Sequence, residues 1–461
     1  NPADHSIVVR KTRGKIKDLF DVIKSHPLPA GTVGISHTRW ATHGVPNKVN
    51  AHPHFDCTQK ILIVHNGIIE NYEVLKSALE KRGHVFLSQT DTEVVAHLIE
   101  EGMKGDFLLA VRGALAQLRG TFALGIISRD HPEQIIAARV GSPLIVGVGQ
   151  HENFIASDVP AILESTNRVI YLKDNQLAVL MRGGVEIFSP TGKKVDPQID
   201  TVTFSVESVQ KQGYPHFMLK EIHEQPNVLE QILHHRIKNG NIELDGLRLN
   251  CRQLKAIRNI CVVACGTAYH AGLVGKYFIE KVTGIPVLVD AASEFRYRDP
   301  IINKKTLIVA ISQSGETADT LAAVKEAKAK GAKVISICNV VGSSLARESD
   351  GILYTHAGPE IGVASTKAYV AQLAMLYLLG LKLSRLSDRI SARERERLIK
   401  RLKKTPSRYK EILVHKQKIA KIAKANSHFG SFLFLGRNIN YPSALEGALK
   451  LKEISYIPAE G

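Results

Sequence analysis

The sequence has no uninterrupted apolar stretch long enough to cross a bilayer. Its longest mostly apolar run, Ala368 to Leu381, is broken by Gln372 and falls short of the about 20 residues that a spanning helix needs. Cysteine is scarce: Cys57, Cys251, Cys261, Cys265 and Cys338, an odd number with no C-x-x-C pair. That argues against a disulfide scaffold and against a zinc site, so buried free thiols in a reducing, cytoplasmic setting are expected. Aromatics are only 6% of the 461 residues, with a single Trp. There is no G-x-x-x-x-G-K-[S/T], which excludes a P-loop nucleotide hydrolase, and no G-x-G-x-x-G after a strand, which argues against a dinucleotide enzyme. No signal-peptide pattern opens the chain at Asn1-Pro2-Ala3-Asp4-His5, and with no initiator Met a processed chain or a fragment is expected.

What is present is an ordinary globular mix, 44% apolar and 23% charged, enough for about three domains. The net charge of +17 suggests a polyanion partner until it is located. Residues 382–424 hold sixteen Lys/Arg against four acids, leaving the rest of the chain at about +5. This segment is helical in pattern, with Leu398, Leu402, Ile412, Ile419 and Ile422 as sparse apolar anchors. No aromatic platform accompanies it, so a solvated connector is favoured and no nucleic-acid partner is expected.

Three regions follow. Residues 1–205 alternate strand-like runs (Ile61–Val64, Phe122–Ile127, Leu144–Val146, Val169–Leu172) with helices at about 71–82 and 91–103, an α+β domain with largely antiparallel sheets. Residues 206–255 read as a helical linker in which His223-Glu-Gln-Pro226 opens a helix. From residue 256 to 400, short apolar strands alternate with helices: Ile260–Ala264, Val287–Val289, Thr306–Ile311, Val334–Ile337 and Ile352–Tyr354. That alternation predicts a doubly wound parallel α/β sheet. Residues 401–461 hold the connector, a strand at Phe432–Leu435 and a helix from Ser443, the start of a second α/β unit.

Several clusters carry chemistry. His37-Thr-Arg-Trp-Ala-Thr-His-Gly44 is either a surface turn with a packed Trp or a site in which Arg39 clamps a carboxylate. Asn66-Gly67, ending an apolar strand, is either a hairpin turn or an oxyanion hole. In Thr90-Asp-Thr-Glu93, Thr90 and Glu93 fit a capping box and leave Asp91 free for an ammonium group. Cys265-Gly-Thr-Ala-Tyr-His270 and Ser312-Gln-Ser-Gly-Glu-Thr317 are hydroxyl-rich loops after neighbouring strands. Each alone fits a helix cap; two together favour a phosphate cradle without a metal. Glu446, Lys450 and Glu453 share one helix face, which on spacing alone is a surface ion-pair stripe.

The first three clusters, in this order, resemble the glutaminase domain of amidotransferases with an N-terminal cysteine nucleophile. The resemblance implies that Arg39 and Asp91 hold the carboxylate and amine of L-glutamine. It implies that Thr42 and His43 line the site, that Asn66 and Gly67 form the oxyanion hole, and that Trp40 gates an ammonia channel. Ser312–Thr320 and Glu360-Ile-Gly-Val-Ala-Ser-Thr-Lys367 resemble sugar-isomerase domains, which sets the chain apart from amidotransferases that carry a phosphoribosyl-binding domain. That resemblance implies that Thr267, Ser312, Gln313, Ser314 and Thr317 hold the phosphate and that Val363 and Ser365 contact the sugar. Ala268 stands where the pattern usually has Ser. By the same resemblance Glu446 belongs to the phosphosugar site, Glu453 is the base that moves a proton between C1 and C2, and Lys450 is its charged neighbour.

Together the resemblances imply a homodimeric cytoplasmic transferase that takes ammonia from glutamine and, using no cofactor, places it on fructose 6-phosphate with isomerisation to the amino-aldose. None of the five cysteines matches the family nucleophile, and the family's Schiff-base lysine has no match here. Both are expected outside Asn1–Gly461, so this chain alone is expected to release no glutamate.

Overall fold

The computed structural model describes residues 6–39, 41–202 and 210–461. The chain divides into two compact units, Asn1–Thr203 and Phe204–Gly461. Among the described residues no helix is long and apolar enough to cross a membrane.

The first unit is built on a seven-stranded antiparallel sheet in which Ile61–Ile69, Gly120–Ser128 and His131–Val140 are the long central neighbours. Strand alternation sorts their side chains. Ile61, Ile63, Leu124, Ile126 and Ile136 face the helices Glu93–Gly102 and Phe107–Leu115 in one core. Ala123, Ala137, Ala178 and Leu180 face the other way, into a core shared with Val146 and Ile170 of a four-stranded antiparallel sheet. The result is a helix–sheet–sheet layering, as the alternating runs predict. The helices expected at about 71–82 and 91–103 are Tyr72–Lys81 and Glu93–Gly102.

The second unit carries a five-stranded sheet, all parallel, in the order Val287–Ala291, Asn259–Ala264, Thr306–Ser312, Lys333–Cys338, Gly351–Tyr354. Both faces are covered. Ile260, Val262, Leu307, Val309, Ile335 and Ile337 pack with the helices Gly266–Thr283 and Lys367–Leu383. Cys261, Val263, Ile308, Ala310 and Val334 pack with the helix Ala318–Ala329. Burial on both sides is why these strands read as continuous apolar runs. The second strand in the chain lies to one side of the first and the third to the other. The connections therefore diverge beyond the carboxyl ends of Asn259–Ala264 and Thr306–Ser312, the place where open parallel sheets bind ligands.

Several sequence expectations are corrected. The helix expected to open at His223–Pro226 runs Phe217–Arg236 with Pro226 buried in its interior. Burial of Val228, Leu229, Ile232 and Leu233 outweighs the hydrogen bond that Pro removes. The basic segment does form helices, Ala392–Lys403, Thr405–Leu413 and Lys416–Ala425. Ile399 and Pro406 are buried and the expected anchors Leu398 and Leu402 pack partly buried against the core, whereas Ile412, Ile419 and Ile422 are more than half exposed. Of the thiols expected to be buried, Cys261 and Cys338 are, Cys265 is half-buried, and Cys57 and Cys251 are exposed. At the C-terminal end the strand is Phe432–Leu433, paired in parallel with Ala459–Glu460, and the helix is Tyr441–Ser455.

Candidate functional site

In the first unit, Asn66 and Gly67 do not turn a hairpin. They lie within the continuous strand Ile61–Ile69, opposite Ala123 and Phe122. Gly67 has φ +140°, and a Cβ there would lie 2.1 Å from the Thr121 carbonyl oxygen, a backbone atom that cannot step aside. The strand can hold this shape only with glycine, and it leaves the Asn66 side chain exposed.

Asp91 is buried beside this strand end. Its Oδ2 accepts the Ile69 N–H at 2.7 Å, and its Oδ1 lies 3.7 Å from His43 Nδ1. The carboxylate is therefore not free, as the sequence suggested, but held with one oxygen engaged. Nor is there a capping box: Thr92, not Thr90, is the residue before the helix and its side chain makes no cap. Glu93 instead accepts the Leu87 and Ser88 N–H groups at 2.7 and 2.6 Å. Burial alone would raise the pKa of Glu93, but the nearby His97 imidazole and hydrogen bonds from Leu87 and Ser88 hold it down at about 2.

Arg39 donates from Nη2 to the His43 carbonyl and, at 3.2 Å, to that of Gly44, curling the 39–44 segment on itself. Burial lowers the Arg39 pKa and Asp91 opposes that shift. Thr42 is exposed and its hydroxyl lies 3.3 Å from His43 Nδ1; Trp40 lies outside the described residues. Thus Arg39, His43 and Asp91 come together, with Thr42 at their rim.

Two supports were invisible in the sequence. Buried Asn50 donates to the Val45 carbonyl (3.0 Å) and Gln89 Oε1 (3.1 Å) and accepts the Gln89 N–H (2.9 Å), tying the two loops together. Beneath them, His65 and His52 meet the Thr92 hydroxyl at 2.9 and 3.3 Å, and His54 meets that of Thr90 at 3.2 Å. Burial lowers the pKa of all three; neighbouring charge adds to this at His52 and His54, which is lowered to about 3, whereas Asp91 opposes it at His65.

In the second unit a cavity of about 200 Å³ opens at the point where the sheet connections diverge. Thr267, Ser312, Gln313, Ser314, Thr317 and Ser365 line it, with Cys265, Ala268, Ile311 and Gln372. The helices Gly266–Thr283 and Ala318–Ala329 both begin here, so their free N–H groups and positive dipole ends face it. Ser312 Oγ accepts the Gly315 N–H at 2.9 Å and lies 3.0 Å from Thr317 Oγ1, which sets the loop. Gln372, the residue that interrupts the apolar run, presents a buried Oε1 without a hydrogen-bond partner among the described residues. Val363 is not part of this wall; it is 93% exposed.

The loop carrying Val363 and Ser365 is held by two carboxylates that motif reading passed over. Glu221 accepts the Ile361 and Gly362 N–H groups at 2.6 and 3.0 Å. Glu360 accepts the Thr366 and Ala368 N–H groups at 2.8 and 3.1 Å and the Ser365 hydroxyl at 2.8 Å.

The Tyr441–Ser455 helix packs on Gly266–Thr283 and turns Glu446 and Lys450 of the expected surface stripe inward, leaving Glu453 exposed. Glu446 is buried; it accepts the Thr267 hydroxyl at 2.9 Å and lies 2.8 Å from His270 Nδ1. Lys450 Nζ reaches Thr267 Oγ1 (2.8 Å), Glu446 (3.4 Å) and Glu453 (2.5 Å). Thr267 therefore links the cavity wall to the ion-pair chain. The sequence hint at His270 was only its place in the loop after the first strand.

Comparison with known proteins gives the family. A model described as a glutamine amidotransferase domain matches residues 24–202, and one described as an SIS domain matches residues 253–382. A glutamine–fructose-6-phosphate aminotransferase (isomerizing) of Clostridium acetobutylicum is 49% identical over 458 residues, 99% of this chain and 75% of the relative. The Thermus thermophilus protein of the same name is 49% identical over 454 residues, 98% and 74% of the two chains. Among solved structures, the C-terminal domain of glucosamine-fructose-6-phosphate aminotransferase from Francisella tularensis covers 54% of this chain and 70% of its own length at 44% identity, with a TM-score of 0.53. With an antiparallel amidotransferase unit and a parallel-sheet sugar-isomerase unit at these identities, the chain belongs to the glutamine–fructose-6-phosphate aminotransferase (isomerizing) family.

Proposed function

We propose that this protein makes glucosamine 6-phosphate from fructose 6-phosphate and glutamine, releasing glutamate, with ammonia channelled from the glutaminase to the sugar site. One observation carries the sugar half most directly: the hydroxyl-lined cavity at two helix starts is joined through Thr267 to the Glu446–Lys450–Glu453 chain. That supports a phosphate held by neutral donors beside groups able to move a proton.

In this reading residues 1–205 form the glutaminase and 206–255 a linker. Residues 256–400 form the first sugar-isomerase domain, and 401–461 hold the connector and the start of a second. Arg39 and Asp91 take the glutamine carboxylate and amine, Thr42 and His43 line the pocket, and Trp40 gates ammonia. The Asn66 side-chain amide and the Gly67 N–H stabilise the oxyanion that develops at the amide carbon as the nucleophile adds. Gln313, Ser314, Thr317, Ser312 and Thr267 hold the sugar phosphate, with Ser365 and Val363 toward the sugar. Glu453 takes the proton from one of C1 and C2 and returns it to the other, and Lys450 tunes its charge. The protein works as a cytoplasmic homodimer.

The test is Asn66→Ala in the full-length protein. Removing one oxyanion donor costs about 10²–10³ in rate, so glutamate release should fall by that factor while calorimetric binding of fructose 6-phosphate is unchanged. Release at the wild-type rate would remove Asn66 from the chemistry.

A further inference from the structure

Apart from these two sites, the first unit holds a second convergence of chemically distinctive groups. Cys57 lies in the turn before the strand Ile61–Ile69, and His84 follows the helix Tyr72–Lys81. His97 and Glu100 sit about one turn apart on the helix Glu93–Gly102. One ligand atom from each, Cys57 Sγ, His84 Nδ1, His97 Nδ1 and Glu100 Oε2, lies within 4.8 Å of all the others.

The individual separations are informative. Sγ lies 3.7 Å from His84 Nδ1 and 3.5 Å from His97 Nδ1. The two Nδ1 atoms are 3.3 Å apart. Glu100 Oε2 lies 3.1 Å from His84 Nδ1 and 3.3 Å from His97 Nδ1. A tetrahedral zinc ion with bonds of about 2.3 Å to sulfur and about 2.0 Å to nitrogen and oxygen requires ligand–ligand edges of about 3.3–3.6 Å. These contacts follow those edges closely. A single hydrogen bond at each ring nitrogen does not account for all of these contacts. Each Nδ1 carries at most one proton, yet each faces a sulfur, a nitrogen and a carboxylate oxygen at once.

The surroundings have the character of a supported metal site. The far nitrogen of each imidazole faces a carboxylate: His97 Nε2 lies 3.7 Å from Glu93 Oε1, and His84 Nε2 lies 3.8 Å from Glu101 Oε1. Both separations are longer than a hydrogen bond, so these carboxylates add negative charge behind the imidazoles without fixing their orientation. The Val85 N–H donates to Cys57 Sγ at 3.4 Å, and the Cys57 N–H donates to Glu100 Oε2 at 3.1 Å. The Phe86 ring centroid lies 4.4 Å from that of His97, with the planes tilted by 54°, an apolar wall on that side. His97 is buried, His84 and Glu100 are half-buried and Cys57 is exposed, so an ion has a path in.

We propose that Cys57, His84, His97 and Glu100 form a structural zinc site. Thiolate and imidazole ligands select zinc over magnesium or calcium, and four protein ligands leave no position for a substrate. Binding replaces the Cys57 thiol proton, which leaves to solvent. The ion ties the 56–60 turn, the 82–87 segment and the Glu93–Gly102 helix together. This inference does not depend on the reading of the glutamine or sugar sites. The spacing of 57, 84, 97 and 100 matches no linear zinc motif, because the ligands come from three separate elements.

The test is cobalt(II) chloride titration of the metal-free full-length protein, followed by zinc chloride competition. The expected result is saturation at one ion per chain, with a near-ultraviolet thiolate-to-cobalt charge-transfer band and intense tetrahedral visible bands that zinc abolishes. Cys57→Ser, a change at an exposed position, should remove the charge-transfer band and weaken zinc binding about tenfold or more; His84→Ala should weaken it comparably. Circular dichroism confirms that both variants are folded. Zinc should also raise the melting temperature of the wild type but not of Cys57→Ser. A wild-type titration without the charge-transfer band, or a band that survives in folded Cys57→Ser, overturns the proposal.

Discussion

Single side chains divide into those that face a ligand and those that hold a neighbour. Ser314 lines the cavity, and among the described residues its hydroxyl accepts the Glu316 N–H at 3.2 Å. A hydrogen bond to a charged group is worth about 1.5–3 kcal/mol. Ser314→Ala should therefore weaken fructose 6-phosphate binding about 10- to 100-fold and leave glutamine binding alone; calorimetric titration of both ligands checks this. Gln372 was noticed in the sequence only as a flaw in an apolar run. In the fold its unpartnered Oε1 at the cavity wall is a buried acceptor waiting for a donor, and a sugar hydroxyl is one. Gln372→Leu should raise the melting temperature of the unliganded protein, because a buried unsatisfied group is removed, and weaken phosphosugar binding several-fold. Unchanged affinity would place the sugar elsewhere.

At the scale of elements, the site depends on loops that carboxylates pin down. Glu221 receives two N–H groups from the 361–362 segment while itself buried in the helix Phe217–Arg236. Burial raises its pKa, and the two donors oppose that. Glu221→Ala leaves those N–H groups without their acceptor and should cost about 1–3 kcal/mol, with a matching loss of phosphosugar affinity as the loop carrying Ser365 loosens. Glu221→Gln keeps an acceptor and should recover most of both. Thermal melts and titration of the two variants separate the hydrogen bonds from the charge.

For the whole molecule, the histidines decide the response to acid. His37, His52, His54 and His65 are all held below the usual value of 6.5, first by burial and, at all but His65, then by neighbouring charge, with His37 lowered to about 4. Because the unfolded chain binds these protons more readily, stability is complete above about pH 6.5 and falls as the pH drops toward about 4. Each such group adds up to about 1.4 kcal/mol per pH unit. In the second unit His356 is the group similarly lowered. Calorimetry across this range should show the Asn1–Thr203 transition moving down faster than that of Phe204–Gly461, and His37→Gln should reduce the slope. Parallel movement of both transitions would deny the cluster this role.

The sequence by itself determined the elements and the chemistry that is local in the chain. Apolar runs with period two or continuous burial named the strands from Ile61–Val64 to Ile352–Tyr354, because a side chain's face follows from its position in a strand. The hydroxyl-rich loop at Ser312–Thr317 was legible because a helix start and its donors are contiguous. What only the tertiary structure decided is which distant groups share a volume. It placed Glu446 against Thr267 and His270, brought Asp91 to His43, seated Gln372 in the cavity wall, and gathered Cys57, His84, His97 and Glu100 at one point. It also kept a proline inside a helix and exposed three isoleucines that the pattern had marked as anchors. Linear patterns record neighbours along the chain, whereas burial, charge pairing and ligand geometry depend on distances that exist only after the strands and helices have packed.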